Sequence, residues 1–189
     1  SLPLASPIQL ADLYDLRFDD ILDYLEELGN RLDINSNEHM QRARELTYDA
    51  TPLPRSIVDV GYSGFGHFLN RGNVRQIAES SVGLDFLEGW VERPMPDGRK
   101  IKYRAFGSRT LHIVAGNGPG LGIVTLARCA VTRSDCIIKA PSNDPFTSAA
   151  LAMTMCDMAP DHPITKHFAV AYWRGGDAAV ENKLYRPHN

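Results

Sequence analysis

The sequence predicts an α/β protein in which N-terminal helices and a β-hairpin precede the β-α-β-α-β half of a doubly wound parallel sheet. Three patterns support this fold class. Apolar residues recur at helical spacing over residues 17–47, and an Asp97-Gly98 pair lies between two strand-like runs. Over residues 111–173, short apolar runs alternate with longer helical ones, which is typical of parallel β-α-β units.

The first fifty residues are predicted to form two helices. Arg17–Leu32 carries an apolar stripe opposite an acidic face, and Ser36–Thr47 starts at a residue type that caps helices. The next segment, Thr51–Gly66, is rich in proline and glycine, which predicts turns rather than a regular element. A weakly periodic helix, Val74–Leu87, is predicted to follow these turns.

The hexapeptide GYSGFG at residues 61–66 has glycines that could let the backbone approach a phosphate. A dinucleotide site, however, needs a buried strand before such glycines and a helix after them. Here the polar segment NRGN follows shortly. We therefore predict a loop, with phosphate binding as the less favoured alternative.

A β-hairpin is predicted at residues 90–106. Its strand-like runs, Trp90–Arg93 and Lys100–Phe106, flank the turn residues PMPDG. Apolar residues alternate with basic ones along the second run, so one face of the hairpin needs cover.

The most regular part of the chain is residues 107–189, which we interpret as the first half of a dinucleotide-binding domain. Residues 1–89 are interpreted as a helical region and residues 90–106 as a hairpin arm. It alternates three predicted strands with two predicted helices: Leu111–Ala115, Leu121–Val131, Asp135–Lys139, Phe146–Met158 and Phe168–Trp173. In parallel sheets, ligands bind outside the carboxyl ends of the strands. The candidate site therefore comprises the residues at those ends: Gly116-Asn117-Gly118, Lys139-Ala140-Pro141-Ser142 and Arg174-Gly175-Gly176-Asp177.

Asn117 and Lys139 are the strand-end residues whose chemistry suggests function. The surrounding turn GNGPGLG lacks the G-x-G-x-x-G spacing of a dinucleotide fingerprint. The Asn117 amide can donate a hydrogen bond to a developing oxyanion; alternatively, this asparagine merely tolerates a left-handed turn. Lys139 can donate to ribose hydroxyls or phosphate; alternatively, it is a solvated lysine at the rim of the sheet.

Composition argues against several classes of partner. A net charge of -3 and a pI near 6.0 provide no electrostatic footprint for nucleic acid or an anionic membrane. No stretch has the pattern of a membrane span or a signal peptide, so we expect a cytoplasmic protein. Cys129, Cys136 and Cys156 have no CxxC spacing, and we expect all three to be reduced and packed in the core, without a metal site.

Three motifs together resemble a known family. AGNGPG, IIKAPSNDPFTSAALA and HPITKHFAVAYWRGGD are similar to segments of the LuxC long-chain fatty acyl-CoA reductases, within the aldehyde dehydrogenase superfamily. The resemblance implies that Asn117 stabilises an oxyanion on the acyl carbon and that Lys139 contacts the adenosine ribose of the cofactor or its phosphate. It also implies, less directly, that Gly175 and Gly176 lie near the adenine.

The resemblance further implies an NADP-dependent reduction of an acyl-CoA, or a related acyl thioester, to an aldehyde through a cysteine acyl-enzyme. The family's nucleophilic cysteine has no counterpart here, so we interpret the chain as an N-terminal portion that is inactive alone. Where NAD-preferring members of the superfamily often carry an acidic residue, this chain has Ser142, which favours NADP over NAD. Alternatively, Ser142 only caps the turn before the helix, and Asp144 restores some repulsion of a phosphate.

Superfamily members use a hairpin arm in subunit contacts, so the complete enzyme is expected to be a homo-oligomer. Three alternatives to the reductase remain: an aldehyde-oxidising dehydrogenase, a reductase of acyl phosphates or carrier-bound acyl groups, and a non-catalytic nucleotide-binding or assembly module. A downstream cysteine separates the enzymes from the non-catalytic module, and a base that activates water separates the oxidising dehydrogenase from the reductases.

Overall fold

The computed structural model describes residues 7–185, which form ten α-helices, two short 3-10 segments and five strands. The helices are α1 Ala11–Tyr14, α2 Phe18–Arg31, α3 Glu38–Ala50, α4 Arg55–Ser63, α5 Arg71–Ser81, α6 Leu84–Glu88, α7 Leu121–Thr132, α8 Thr147–Met158, α9 Pro163–Lys166 and α10 Ala178–Leu184. The strands are β1 Val91–Pro94, β2 Lys100–Tyr103, β3 Arg109–Ile113, β4 Asp135–Lys139 and β5 Phe168–Ala171. The 3-10 segments are Pro7–Leu10 and Phe65–Leu69.

The predicted parallel sheet is confirmed, with β3, β4 and β5 side by side in that order. Helix α7 connects β3 to β4, and α8 followed by α9 connects β4 to β5. Helices α7 and α8 pack closely, because a methyl group added at Gly122 would lie 2.3 Å from the Ser148 hydroxyl oxygen. The same added group would lie 3.6 Å from Ile138 of β4, so this helix layer rests on the sheet.

Two strand predictions need correction. Strand β3 starts at Arg109 and ends at Ile113, two residues earlier than expected at both ends, and β5 ends at Ala171. Strand β3 is also only partly buried, since Ile113 is 63% exposed. Among the described residues β3 pairs only with β4, so it is an edge strand with one open side.

The two predicted N-terminal helices are present as α2 and α3. Helix α2 buries a continuous stripe against the rest of the molecule: Phe18, Ile21, Leu22, Tyr24, Leu25, Leu28 and Gly29. Helix α3 is capped by Asn37 rather than Ser36, because the Asn37 side chain accepts a hydrogen bond from the Met40 amide at 2.8 Å.

The predicted turn segment 51–66 is mostly helical, and the predicted loop at GYSGFG is wrong. Helix α4 starts after Pro54 and ends at Ser63, and a 3-10 segment continues from Phe65. One stripe at helical spacing runs through both pieces and is buried: Val58, Tyr62, Phe65 and Leu69. Since a helix rather than a strand precedes the glycines, the phosphate-binding alternative lacks its required context.

The predicted helix 74–87 is divided into α5 and α6. The break lies at Val82 and Gly83, where Gly83 has a φ of 94° that a residue with a side chain rarely adopts. Weak periodicity in this region therefore reflected two short helices rather than one.

The hairpin is confirmed as antiparallel β1 and β2, with Glu92 opposite Lys102. Its apolar face has little cover within the described residues, since Tyr103 is 45% exposed and Trp90 60% exposed. The hairpin is thus an arm that projects from the packed helices.

The helical region and the parallel-sheet region share one hydrophobic core. Its buried side chains come from α2, α3, α4, α5, α7 and α8. The N-terminal helices cover the outer side of the α7–α8 layer, with α2 touching both helices and α5 touching α7. Within residues 7–185, no helix has both the length and the apolar character that crossing a membrane requires.

The cysteines do not share one environment. Cys129 on α7 and Cys136 on β4 are buried, as expected. Cys156 on α8 is exposed, so the core-packing expectation is wrong for it. The helix turns its buried side chains, including Met155, toward the interior and leaves the next position facing solvent.

Candidate functional site

The carboxyl ends of the three parallel strands lie in one row. Ile113 of β3 is paired with Lys139 of β4, which is paired with Ala171 of β5. Backbone hydrogen bonds extend this row, since the Val114 amide donates to the Lys139 carbonyl and the Ala140 amide donates to the Ala171 carbonyl. Neighbouring strands are about 4.8 Å apart, so the three following loops emerge at one edge. We call this edge, with residues 114–120, 140–146 and 172–177, the carboxyl edge.

The β3–α7 loop carries Asn117 at the carboxyl edge, before the N terminus of α7 at Leu121. Asn117 is exposed, and within residues 7–185 its side chain has no hydrogen-bond partner. The left-handed alternative does not hold, because Arg133 is the one non-glycine residue of the described chain with a positive φ. The left-handed position of this loop is Gly120, with a φ of 89°. The Asn117 amide is therefore available to a ligand.

Lys139 ends β4, and Ser142 lies on the β4–α8 loop that follows. The Lys139 ammonium lies 5.6 Å from the Trp173 ring centre and 6.0 Å from that of Tyr172, within reach of cation–π attraction. The Lys139 side chain therefore lies beside the residues that follow β5. Ser142 is exposed and, within the described residues, has no hydrogen-bond partner.

Asp144, rather than Ser142, caps the helix that follows. Its buried carboxylate accepts hydrogen bonds from the Thr147 amide at 3.1 Å and the Thr147 hydroxyl at 2.6 Å. The capping alternative for Ser142 is therefore not what the structure shows. Because the Asp144 carboxylate faces the core, it presents little negative charge to a ligand at the carboxyl edge.

The third loop, between β5 and α10, carries Gly175 and Gly176. Both are exposed, and an added methyl group at either would meet nothing within 4 Å. The Gly176 amide donates to the Glu181 carboxylate at 3.0 Å, and Asp177 caps α10. Apart from the contact of Lys139 with the Tyr172 and Trp173 rings, the described contacts of this loop are thus local to its own helix.

The GYSGFG segment packs against the β3–α7 loop. A methyl group added at Gly61 would lie 2.5 Å from the Pro119 ring, and one added at Gly120 would lie 2.6 Å from the Phe65 ring. Both glycines therefore allow a contact that a side chain would block. The motif is structural, and its partner is the loop that presents Asn117.

Tyr62 of the same motif supports the β4–α8 loop. Its buried hydroxyl lies 2.7 Å from the Thr147 hydroxyl and 3.1 Å from that of Thr47, in contact with the Asp144 cap. Burial raises the pKa of Tyr62 to about 12, so the phenol is neutral at physiological pH and can donate a hydrogen bond. One short helical segment thus holds two of the three loops.

Asn143 is a site residue that sequence reasoning missed. Its side-chain amide donates to the Gly116 carbonyl, which ties the β4–α8 loop to the β3–α7 loop. A methyl group added at Gly116 would overlap the Asn143 side chain. The sequence does contain a glycine after the first parallel strand and an asparagine after the second. Nothing in the sequence indicates, however, that these two residues contact each other.

The carboxyl edge presents groups of the kind that bind a phosphate, a ribose or a carbonyl oxygen. It combines a cation at Lys139, a hydroxyl at Ser142 and an amide donor at Asn117. None of the three cysteines lies on its loops, because Cys129 and Cys156 are within helices and Cys136 is the second residue of β4. A nucleophile would have to come from outside the described residues.

Comparisons with known proteins place the chain in one family. The profile of the family "Acyl-CoA reductase (LuxC)" matches residues 13–187. A "Long-chain acyl-protein thioester reductase" of Photorhabdus laumondii is 30% identical over 175 residues, which cover 89% of this chain and 35% of that protein. The protein of the same name in Vibrio harveyi is 30% identical over 177 residues, covering 91% and 36%. The chain thus spans about a third of the length of these relatives.

Proposed function

The chain belongs to the LuxC family of acyl-CoA reductases, and from this membership we propose that it forms the first half of the cofactor-binding domain of an NADPH-dependent acyl thioester reductase. The product is a long-chain aldehyde, and the acyl group arrives as a thioester on coenzyme A or, as the names of the relatives suggest, on a protein. The nucleophilic cysteine comes from a part of the protein beyond this chain, so the chain by itself is inactive.

The observation that carries this proposal is the convergence of Asn117, Lys139 and Ser142 on one edge of the sheet. Their loops follow neighbouring parallel strands in register, so an extended dinucleotide can contact all three. The exposure of Asn117 and Ser142 leaves both side chains free to meet a ligand.

The residues of this edge fit NADPH. Lys139 supplies positive charge for the adenosine 2'-phosphate and Ser142 supplies a neutral donor, while the carboxylate of the same loop, Asp144, is turned into the core. Gly175 and Gly176 leave open space beside the third strand for the adenine. When bound, NADPH supplies the hydride that reduces the acyl group.

Asn117 stabilises the negative charge that develops on the acyl carbonyl oxygen. A cysteine thiolate attacks the thioester carbonyl, the carbonyl oxygen becomes an oxyanion, and the Asn117 amide donates a hydrogen bond to that oxygen. The carrier thiolate then leaves and takes up a proton. The Asn117 amide would donate in the same way to the oxyanion formed if the acyl-enzyme accepted a hydride, and release of the aldehyde would return the cysteine as a thiolate.

The test uses the full-length protein with a long-chain acyl thioester and either NADPH or NADH, with the aldehyde measured directly. We expect NADPH-dependent aldehyde formation, and we expect Asn117→Ala to lower kcat about a hundredfold while the KM for NADPH stays nearly unchanged. Aldehyde oxidation without thioester reduction would favour the dehydrogenase alternative. NADPH binding without turnover would favour the non-catalytic module.

We also propose that the complete enzyme is a homo-oligomer and that the hairpin contributes to the subunit contact. The exposed aromatic residues Trp90, Tyr103 and Phe106 lie on or beside this arm. A monomer at micromolar concentration in analytical ultracentrifugation would contradict this proposal.

A further inference from the structure

Three potential metal ligands meet beneath α7, away from the carboxyl edge. His112 lies on β3, Cys136 on β4 and Cys129 on α7. The His112 Nε2 atom and the two sulfur atoms all lie within 4.8 Å of one another, and His112 Nε2 is 3.2 Å from the Cys129 Sγ atom. Cys136 precedes Lys139 by three residues, or about 10 Å along the strand, so this cluster is separate from the carboxyl edge.

We propose that His112, Cys129 and Cys136 form a binding site for a thiophilic divalent cation of the Zn²⁺ class. Two thiolates and one imidazole are the ligands that Zn²⁺ favours in proteins, with Zn–S distances of about 2.3 Å and Zn–N distances of about 2.0 Å. Ligand atoms around such an ion lie about 3.5–3.8 Å apart. The ligand atoms of the cluster, which lie within 4.8 Å of one another, differ from this spacing by about 1 Å or less.

Metal binding requires a neutral imidazole and deprotonated thiols, because the thiolate rather than the thiol is the metal ligand. Burial and the nearby Arg128 lower the pKa of His112, which favours the neutral imidazole. The two cysteines release their protons when the ion binds.

A cavity lies beside two of the three proposed ligands, His112 and Cys129. This cavity of about 200 Å³ is lined by Thr110, His112, Arg128, Cys129 and four neighbouring residues. The Thr110 hydroxyl lies 3.0 Å from His112 Nε2 and 3.7 Å from Cys129 Sγ, and it donates to the Asp135 carbonyl at 3.1 Å, so a polar side chain borders the cluster. The cavity admits both the ion and a water ligand. Three protein ligands with one open position match the arrangement of accessible zinc sites.

Binding of the ion would stabilise the two elements that flank the Asn117 loop. The ion would join the edge strand β3 to its neighbour β4 and to α7, and β3 and α7 flank the Asn117 loop. Sequence reasoning expected no metal site because the three ligands are 17 and 7 residues apart in order along the chain. This proposal is independent of the proposed reductase function.

The test is titration of the full-length protein with Co²⁺ under reducing conditions, followed by competition with Zn²⁺. We expect a thiolate-to-cobalt charge-transfer band that saturates at one ion per chain and disappears when Zn²⁺ is added. Cys136→Ser should abolish this band, and the half-buried His112→Gln should weaken Co²⁺ affinity by at least about tenfold. The matched control is Cys156→Ser, which removes the exposed cysteine and should leave the titration unchanged.

The wild-type protein alone can overturn the proposal. Absence of the band at equimolar Co²⁺, or a band that survives Cys136→Ser, would show that the cluster does not bind metal. A Cys129–Cys136 disulfide found by mass spectrometry in protein kept under reducing conditions would also overturn it. Circular dichroism of each variant identifies a loss of fold, and the His112→Gln titration then remains decisive because that side chain is only partly buried.

Discussion

Two of the loops at the carboxyl edge are anchored by the N-terminal helices, and the third is not. The β3–α7 and β4–α8 loops contact Gly61, Tyr62 and Phe65, and they are tied to each other through Asn143. The β5–α10 loop is held by Glu181 and Asp177 of its own helix, and both of its glycines face open space.

This difference separates two tasks. A residue that stabilises an oxyanion must be held in place before the reaction, because the hydrogen bond contributes most when no reorganisation is needed. A loop beside an adenine ring can adjust to its ligand at lower cost to catalysis. Under the proposed function, the oxyanion donor Asn117 lies on an anchored loop, and Gly175 and Gly176, proposed to lie near the adenine, are on the loop that the N-terminal helices do not anchor.

The largest expected effect is that of Gly120→Ala on the anchored β3–α7 loop. The substitution combines a φ of 89° with overlap against the buried Phe65 ring. We expect the free energy of unfolding to fall by about 2–5 kcal/mol, measured by urea denaturation. Gly118→Ala is the matched control, since an added methyl group there meets nothing within 4 Å. Equal stability of the two variants would show that the loop is not anchored.

A smaller effect is expected from Ser142→Glu on the anchored β4–α8 loop. The new carboxylate would repel a 2'-phosphate and accept hydrogen bonds from a ribose, which shifts preference from NADPH toward NADH. We expect this shift in relative kcat/KM to be about 1–3 kcal/mol, measured with the full-length enzyme. Ser142→Gln is the neutral control of equal size. A wild-type enzyme that already prefers NADH would contradict our placement of the ribose.

Tyr62→Phe tests the buried hydroxyl contacts beneath the β4–α8 loop. Loss of the hydroxyl contacts to Thr47 and Thr147 should lower the free energy of unfolding by about 1–2 kcal/mol at neutral pH. The pKa of Tyr62 is raised to about 12 in the folded state, against about 10 when unfolded. Its contribution is thus complete below about pH 10 and is lost as the pH rises through about 12, so the variant should lose less stability over that window.

Tyr24→Phe provides the control for this experiment. The pKa of Tyr24 is also raised to about 12 by burial, but its hydroxyl contacts Thr165 of α9 rather than a carboxyl-edge loop. Both variants should lose stability, and only Tyr62→Phe should also lower kcat. Equal kcat values in the two variants would show that anchoring the β4–α8 loop has no bearing on turnover.

The smallest effect is expected from Gly175→Ala on the unanchored loop. Because an added methyl group has open space, the free energy of unfolding should change by less than about 0.5 kcal/mol, measured by the same urea denaturation. We expect the KM for NADPH to rise less than about threefold, since the loop can yield to its ligand. A rise above about tenfold would show that this loop is as rigid as the other two.

The sequence by itself determined the elements whose local pattern is strong. Helices α2, α7 and α8, the hairpin and the parallel order of β3, β4 and β5 follow from periodicity, turn chemistry and alternation. Parallel order then placed Asn117, Lys139 and Ser142 at one edge, because every parallel strand ends on the same side. Family resemblance supplied the roles proposed for these residues.

Only the tertiary structure decided how the edge is supported. Helix α4 forms in a segment rich in proline and glycine because its buried stripe packs into the common core, which outweighs weak local propensity. The inward turn of Asp144 and the meeting of His112 with two distant cysteines likewise depend on contacts between residues far apart in the chain. The local sequence determines which chemical groups a segment contains, and tertiary packing determines which of these groups are in contact.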